Sequence, residues 1–124
     1  MKRLRITDHI EYLIPHDEFS RFLCSGMIVR GRATVFFDTN LGERETRGLL
    51  EIEKPDFALI SHYHLDHSLW GGYCLQRPSV ELFVPSREAR YLKDLEYFRA
   101  KTGGEGCISE RCSLVILSFV NNRF

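Results

Sequence analysis

The first sixty residues carry short apolar runs separated by turn residues. Tyr12-Leu13-Ile14 reads as a strand that stops at Pro15. Residues 22–29 read as a second strand, with Gly26 as a candidate bulge. After the Arg30-Gly31 turn, Ala33-Thr34-Val35-Phe36-Phe37 is nearly all apolar, which predicts a strand buried on both faces. Asp38-Thr39-Asn40 closes it with turn chemistry. The period then changes. Leu41, Leu49, Leu50 and Ile52 recur among Glu43, Arg44, Glu45, Arg47, Glu51, Glu53 and Lys54, the pattern of an amphipathic helix that must end before Pro55. Residues 57–60 predict a fourth strand, and residues 80–84 a fifth, closed by Pro85. Ser86 is a good N-cap for a helix carried by Ala89, Leu92, Leu95, Tyr97 and Phe98 to about Lys101, where Gly103-Gly104 stop it. Residues 112–120 predict a sixth strand. The order β-β-β-α-β-β-α-β gives a mixed α/β class with helices packed against a sheet.

Composition narrows this picture. A chain of 124 residues is expected to form one domain over residues 1–124, and its 44% hydrophobic content is enough for a core. Lys+Arg 17 against Asp+Glu 17 leaves a net charge of zero. That disfavours nucleic acid and anionic membranes as partners, and it predicts low solubility near neutral pH. The start Met1-Lys2-Arg3-Leu4-Arg5 has the charge of a signal-peptide n-region, but Asp8, His9 and Glu11 interrupt any apolar stretch after it. The longest apolar run, residues 114–117, is far too short to span a bilayer. The expectation is a soluble, cytoplasmic chain. The cysteines at 24, 74, 107 and 112 then read as reduced thiols, with Cys107 and Cys112 only loosely matching a metal knuckle.

The strongest chemical signal is His62-Tyr63-His64-Leu65-Asp66-His67, directly after the fourth strand. A random chain of this composition carries His-x-His-x-Asp-His in roughly four cases per ten thousand. Imidazole and carboxylate are common ligands of first-row metals. His62 and His64, two apart, point the same way in an extended stretch. Asp66 and His67 reach a second direction as the chain turns into a helix. One loop thus offers a ligand pair to each of two metals, which together can share a hydroxide and clamp an ester, amide or phosphodiester. The loop also follows the carboxyl end of a strand, where α/β proteins place their sites. His9 and His16 read as surface residues. Trp70 and Tyr73 read as packing residues before substrate contacts, and Tyr91, Tyr97 and Phe98 as core-facing positions of one helix.

Phe36-Phe37-Asp38-Thr39, the helix after it, and Lys54-Pro55-Asp56-Phe57-Ala58-Leu59-Ile60-Ser61 leading through the histidine motif to Gly71-Gly72 together resemble the metallo-β-lactamase superfamily over about residues 10–104. The resemblance implies an αββα sandwich of two sheets between helices. It implies that His62 and His64 bind one metal and Asp66 and His67 a second. It further implies that Asp66 handles the proton of the bridging water and that Asp38 supports the ligand histidines from behind. Zinc is the expected metal, with iron or manganese as alternatives, and a small molecule is the expected substrate.

The resemblance also implies ligands that do not appear. The family's second half supplies a third histidine for the first metal, a bridging aspartate and a last histidine, whereas no histidine follows His67 here. Beyond it the strong ligand types are Glu81, Glu88, Asp94, Glu96, Glu105, Cys107, Glu110 and Cys112, in no second motif. Residues 105–124 form an atypical tail. The expectation is therefore the N-terminal half of a metallo-hydrolase, truncated by a stop or frameshift near residue 105. The alternative is a non-catalytic half-domain that binds metal weakly, or that depends on a homodimer or a complementing chain.

Overall fold

A computed structural model describes residues 1–16, 23–38, 40–69 and 71–102 of the chain. Within them the apolar runs form six strands of one mixed sheet: β1 (Lys2–Arg5), β2 (Ile10–Ile14), β3 (Gly26–Arg30), β4 (Thr34–Phe37), β5 (Phe57–Leu59) and β6 (Glu81–Phe83). The spatial order follows the sequence, β1-β2-β3-β4-β5-β6. The first four strands pair antiparallel; short turns join β1 to β2 and β3 to β4, and residues 15–25 link β2 to β3. From β4 onward the pairing is parallel, because helical segments return the chain to the same end each time. Those segments are α1 (Glu43–Glu53) between β4 and β5, then α2 (Leu65–Ser68) and α3 (Gly72–Leu75) between β5 and β6. α4 (Ser86–Lys93) and α5 (Leu95–Thr102) follow β6.

The mixed α/β class expected from the sequence is the class observed. Five local expectations are corrected. Residues 2–5, where the sequence marks no strand, form β1. All four of its residues are exposed, so it lacks the apolar alternation that marks a strand and sits as a charged edge, which discourages pairing with another chain. Gly26 makes no bulge; it stands in regular register opposite Leu13. β4 is not buried on both faces, since only Phe36 is buried. The single helix expected from Ser86 to about Lys101 is two. Asp94 adopts an extended conformation that ends α4, and its carboxylate accepts the Tyr97 backbone N–H at 2.9 Å, capping α5. Ser86 is the first residue of α4, and Pro85 precedes it as the cap position. The Gly103-Gly104 stop, the strand over 112–120, the tail and the Cys107/Cys112 pair lie outside the described residues.

α1 begins at Gly42, whose φ of 102° suits glycine, and Glu43 and Glu45 in its first turn complement the helix dipole. It ends at Lys54 in the left-handed region, followed by a buried Pro55. Its inner face sets Leu49 and Leu50 against Leu13, Ile28, Phe36 and Ala58 of the sheet, with Leu41, Cys74 and Val80 completing the cluster. Leu92 of α4 packs on Ile60 and on Leu82 and Val84 of the β6 segment. The core thus lies on one face of the sheet. The other face carries two cross-strand rows: Leu4, Tyr12, Met27, Phe37, Leu59 and Phe83, one from each strand, and beside them Ile10, Val29, Val35 and Phe57 of β2 to β5; none of these residues is buried. No described helix is long and apolar enough to cross a membrane.

A ring of ion pairs ties the antiparallel strands to the end of α1. Arg3 meets Glu53 at 2.7 Å and Glu11 at 3.3 Å; Arg30 meets the same two carboxylates at 2.8 and 3.1 Å. Glu53 sits at the helix C-terminus, where a negative charge opposes the dipole, and the two arginines offset that.

The two faces predict opposite responses. Phe36→Ala, at a side chain with no exposure, should cost about 3–5 kcal/mol by urea unfolding, whereas Phe83→Ala, 47% exposed, should cost about 1 kcal/mol or less. Equal losses would mean that the second face is covered. The ion-pair ring predicts a pH dependence. Burial raises the Glu53 carboxyl, but hydrogen bonds from Arg30 and Arg3 outweigh it and hold the group below its usual 4.5. A lowered folded-state value favours folding at pH above 4.5, and that contribution is lost as pH falls through the folded value. Melting temperatures from pH 7 to 3 should therefore fall less steeply for Glu53→Gln than for the wild type, the two curves converging at the acid end.

Candidate metal-ligand loop

β4 and β5 run parallel with Phe37 beside Leu59, so the residues just past them, Asp38 and Ser61, emerge at one end of the sheet. Asp38 takes a φ of 45°, a left-handed conformation that aspartate tolerates better than most residues. Its N–H donates to Leu59 O at 2.9 Å, extending the ladder by one bond, and its Oδ1 accepts the Ser61 N–H at 2.7 Å. The chain then runs through the histidine motif. Ser61 Oγ lies 2.8 Å from His62 Nδ1. The His62 ring centre is 4.7 Å from that of His64 and 4.0 Å from that of His67. His67 Nε2 lies 3.4 Å from Asp66 Oδ2, and its buried Nδ1 lies 3.2 Å from Asp38 Oδ2. By distance the Asp38 contact would pass for a hydrogen bond. It is out of line for one, so we read it as electrostatic.

All five residues singled out from the sequence, His62, His64, Asp66, His67 and Asp38, therefore meet at one end of the sheet. Burial pushes the His62 imidazole below its usual value, and the charges of His67 and His64 push the same way; Asp38 and Asp66 oppose them. The ring is held toward its neutral form, the form that binds metal. Cys24 approaches the same corner, donating its thiol to Asp38 O at 3.0 Å, but burial pushes its thiol up to about 12 and keeps it neutral. His9, in the β1–β2 turn, and His16, just past β2, are exposed. Tyr73 donates its hydroxyl to Glu43 at 2.7 Å beneath the Arg47 guanidinium, which makes it a packing residue of α1. Trp70 lies outside the described residues.

Three residues matter here that the sequence reading did not place. Asn40, 1% exposed, donates from Nδ2 to the carbonyls of Leu65 at 3.1 Å and Asp66 at 2.5 Å, which fixes the turn that carries Asp66 and His67. Ser61 contacts His62 as described. Glu88, noted from the sequence only as a ligand type, accepts the Tyr63 N–H at 3.1 Å. Asn40 looked like one more turn residue; its signal was a polar side chain directly before Leu41, at the start of an apolar packing face. Asp94 caps α5, and Glu81 and Glu96 are exposed.

The donors match a first-row metal in type and order. Among the described residues, however, no three His, Cys, Asp or Glu side chains converge to hold an ion, and His67 lies with a carboxylate near each ring nitrogen. A catalytic zinc takes three protein ligands. The loop fits as part of a metal centre and not as a whole one.

A mixed sheet whose parallel strands end in a loop of histidines and aspartate defines a metallo-hydrolase-like α/β protein. A family model for the metallo-beta-lactamase superfamily matches residues 24–109, well over half of the chain, and the chain belongs to that superfamily. Comparison with curated proteins gives no match.

The Asn40 clamp predicts a specific loss. Asn40→Asp keeps the size but turns an oxygen toward two carbonyls, so stability should fall by about 1–3 kcal/mol in urea unfolding at pH 7. An unchanged midpoint would mean that the turn is held without it.

Proposed function

We propose that this chain supplies the N-terminal ligand set of a metal-dependent hydrolase acting on a small molecule. The observation that carries the reading is the placement of His62, His64, Asp66 and His67 side by side on one loop, backed by Asp38 from the neighbouring strand. Zinc is the metal we favour, since imidazole and carboxylate suit it; iron and manganese accept the same donors. His62 and His64 would hold one ion and Asp66 and His67 the other, each ion acting as a Lewis acid toward a carbonyl or phosphoryl oxygen. Asp66, half-buried beside His67, is the group proposed to handle the proton of the attacking water. Further donors would come from outside the described residues or from a second chain. A reducing, cytoplasmic setting belongs to the same reading, because Cys24 and Cys74 are free thiols.

A second reading, a non-catalytic half-domain, is favoured by the absence of any three converging donors among the described residues. Metal content by mass spectrometry, with solution mass on the same sample, separates the two. Hydrolysis predicts bound zinc, its loss in His62→Ala and His64→Ala, and turnover of a generic ester, thioester or phosphodiester that a chelator abolishes and zinc restores. A folded, zinc-treated sample with neither metal nor turnover would establish the half-domain.

A further inference from the structure

The histidine limb of the loop is held from a direction that the Asp38 and Asn40 contacts do not reach. Tyr63 stands between His62 and His64, and its polar backbone atoms are both engaged. Its N–H donates to Glu88 Oε2 of α4 at 3.1 Å, and its carbonyl accepts the Ser68 hydroxyl at 3.0 Å. Its ring stacks on Tyr91, also of α4, at 4.0 Å and 9°. The Tyr63 ring also meets Phe98 of α5 at 5.8 Å and the His64 ring at 4.7 Å, both nearly perpendicular to it. Glu88 and Tyr91 lie three apart on one helix face, so one surface of α4 grips both the backbone and the ring of Tyr63. The grip is itself supported. Tyr91 meets Tyr97 edge-on at 5.0 Å, the Arg90 guanidinium covers Tyr97 at 4.0 Å, and Leu92 anchors α4 on Ile60.

We propose that Glu88 is a positioning residue for the histidine pair, acting through Tyr63, with Tyr91 as its partner; this rests on the functional reading above. A rigid Tyr63 fixes the backbone on both sides of itself, and so fixes the directions in which His62 and His64 leave it. Outer contacts of this kind orient ligands before any ion arrives. Glu88 is then a clamp on the ligand loop and not a ligand, although its side-chain type would serve for either.

The test uses the full chain and two readouts. The first, amide hydrogen exchange by NMR, needs no metal. In Glu88→Ala the Tyr63 amide should exchange about tenfold faster or more, while the Phe36 amide stays protected. Glu88→Gln retains a carbonyl acceptor and should restore slow exchange. The second readout is cobalt affinity by chelator competition, expected to fall about 10–100-fold in Glu88→Ala and to recover in Glu88→Gln. Tyr91→Leu removes the ring contacts with Tyr63 and Tyr97 but keeps the Glu88 carboxylate, and it should move both readouts the same way, giving a second route if Glu88→Ala folds poorly. Glu96→Ala, exposed on α5, should move neither. An unchanged Tyr63 amide in both Glu88→Ala and Tyr91→Leu would overturn the proposal, as would a Glu88→Gln variant no better than Glu88→Ala. If the wild type itself binds no cobalt while the Tyr63 amide responds as expected, the metal reading fails and the clamp stands.

Discussion

The site depends on the parallel pairing of β4 with β5, and on what Asp38 does at the end of it. With Phe37 beside Leu59, Asp38 stands level with the point where β5 gives way to the ligand loop. One carboxylate oxygen receives the Ser61 N–H, and the other faces His67. The same side chain therefore sets where the loop begins and touches the donor near its end. A slip of one residue in this register would turn Asp38 to the opposite face and undo both contacts. The left-handed backbone at Asp38 follows from this demand: the chain must leave β4 sharply while its side chain still reaches across to β5.

The loop has two limbs, and each is held by a different part of the molecule. Asn40, just past the β4 end, binds the carbonyls of Leu65 and Asp66 and fixes the helical limb. Glu88 and Tyr91, on the helix after β6, hold the extended limb through Tyr63. Neither clamp is local to the loop: they lie 25 residues away on opposite sides of it in sequence. A six-residue motif gains its shape only when β4, β5, β6 and α4 have assembled around it. Its own sequence specifies donor types and their spacing, and the surrounding fold supplies their directions.

This division explains what could be read from the chain alone. The apolar runs of β2 and β4 and the amphipathic stripe of α1 are short-range patterns, and they located those elements within a residue or two. The histidine motif was legible because metal chemistry imposes residue type and spacing together. The edge strand β1 was not, because a strand with Lys2, Arg3 and Arg5 exposed has no apolar period to detect. The break between α4 and α5 was hidden because Leu92 and Leu95 continue a helical spacing straight through Asp94. Asn40 and Glu88 were missed for a deeper reason. Each acts through backbone groups of a distant segment, and backbone groups are identical at every residue.

The electrostatics of the cluster bear most clearly on His62. Three imidazoles stand close together, with ring centres 4.0 and 4.7 Å from that of His62, and charging all of them would set like charges at contact distance. Burial works in the same direction at His62. Asp38 and Asp66 pull the other way, but they are arranged around His67, which lies between them. His62 is thus held toward its neutral form, while His67 lies in contact with both carboxylates. Neutral imidazole is the ligand form, so His62 is prepared for a cation, while His67 would first have to release its contacts with acid groups. A cation arriving among these residues would compete with Asp38 and Asp66 for His67 and meet no such competition at His64, so the two halves of the motif are unequal as binding sites.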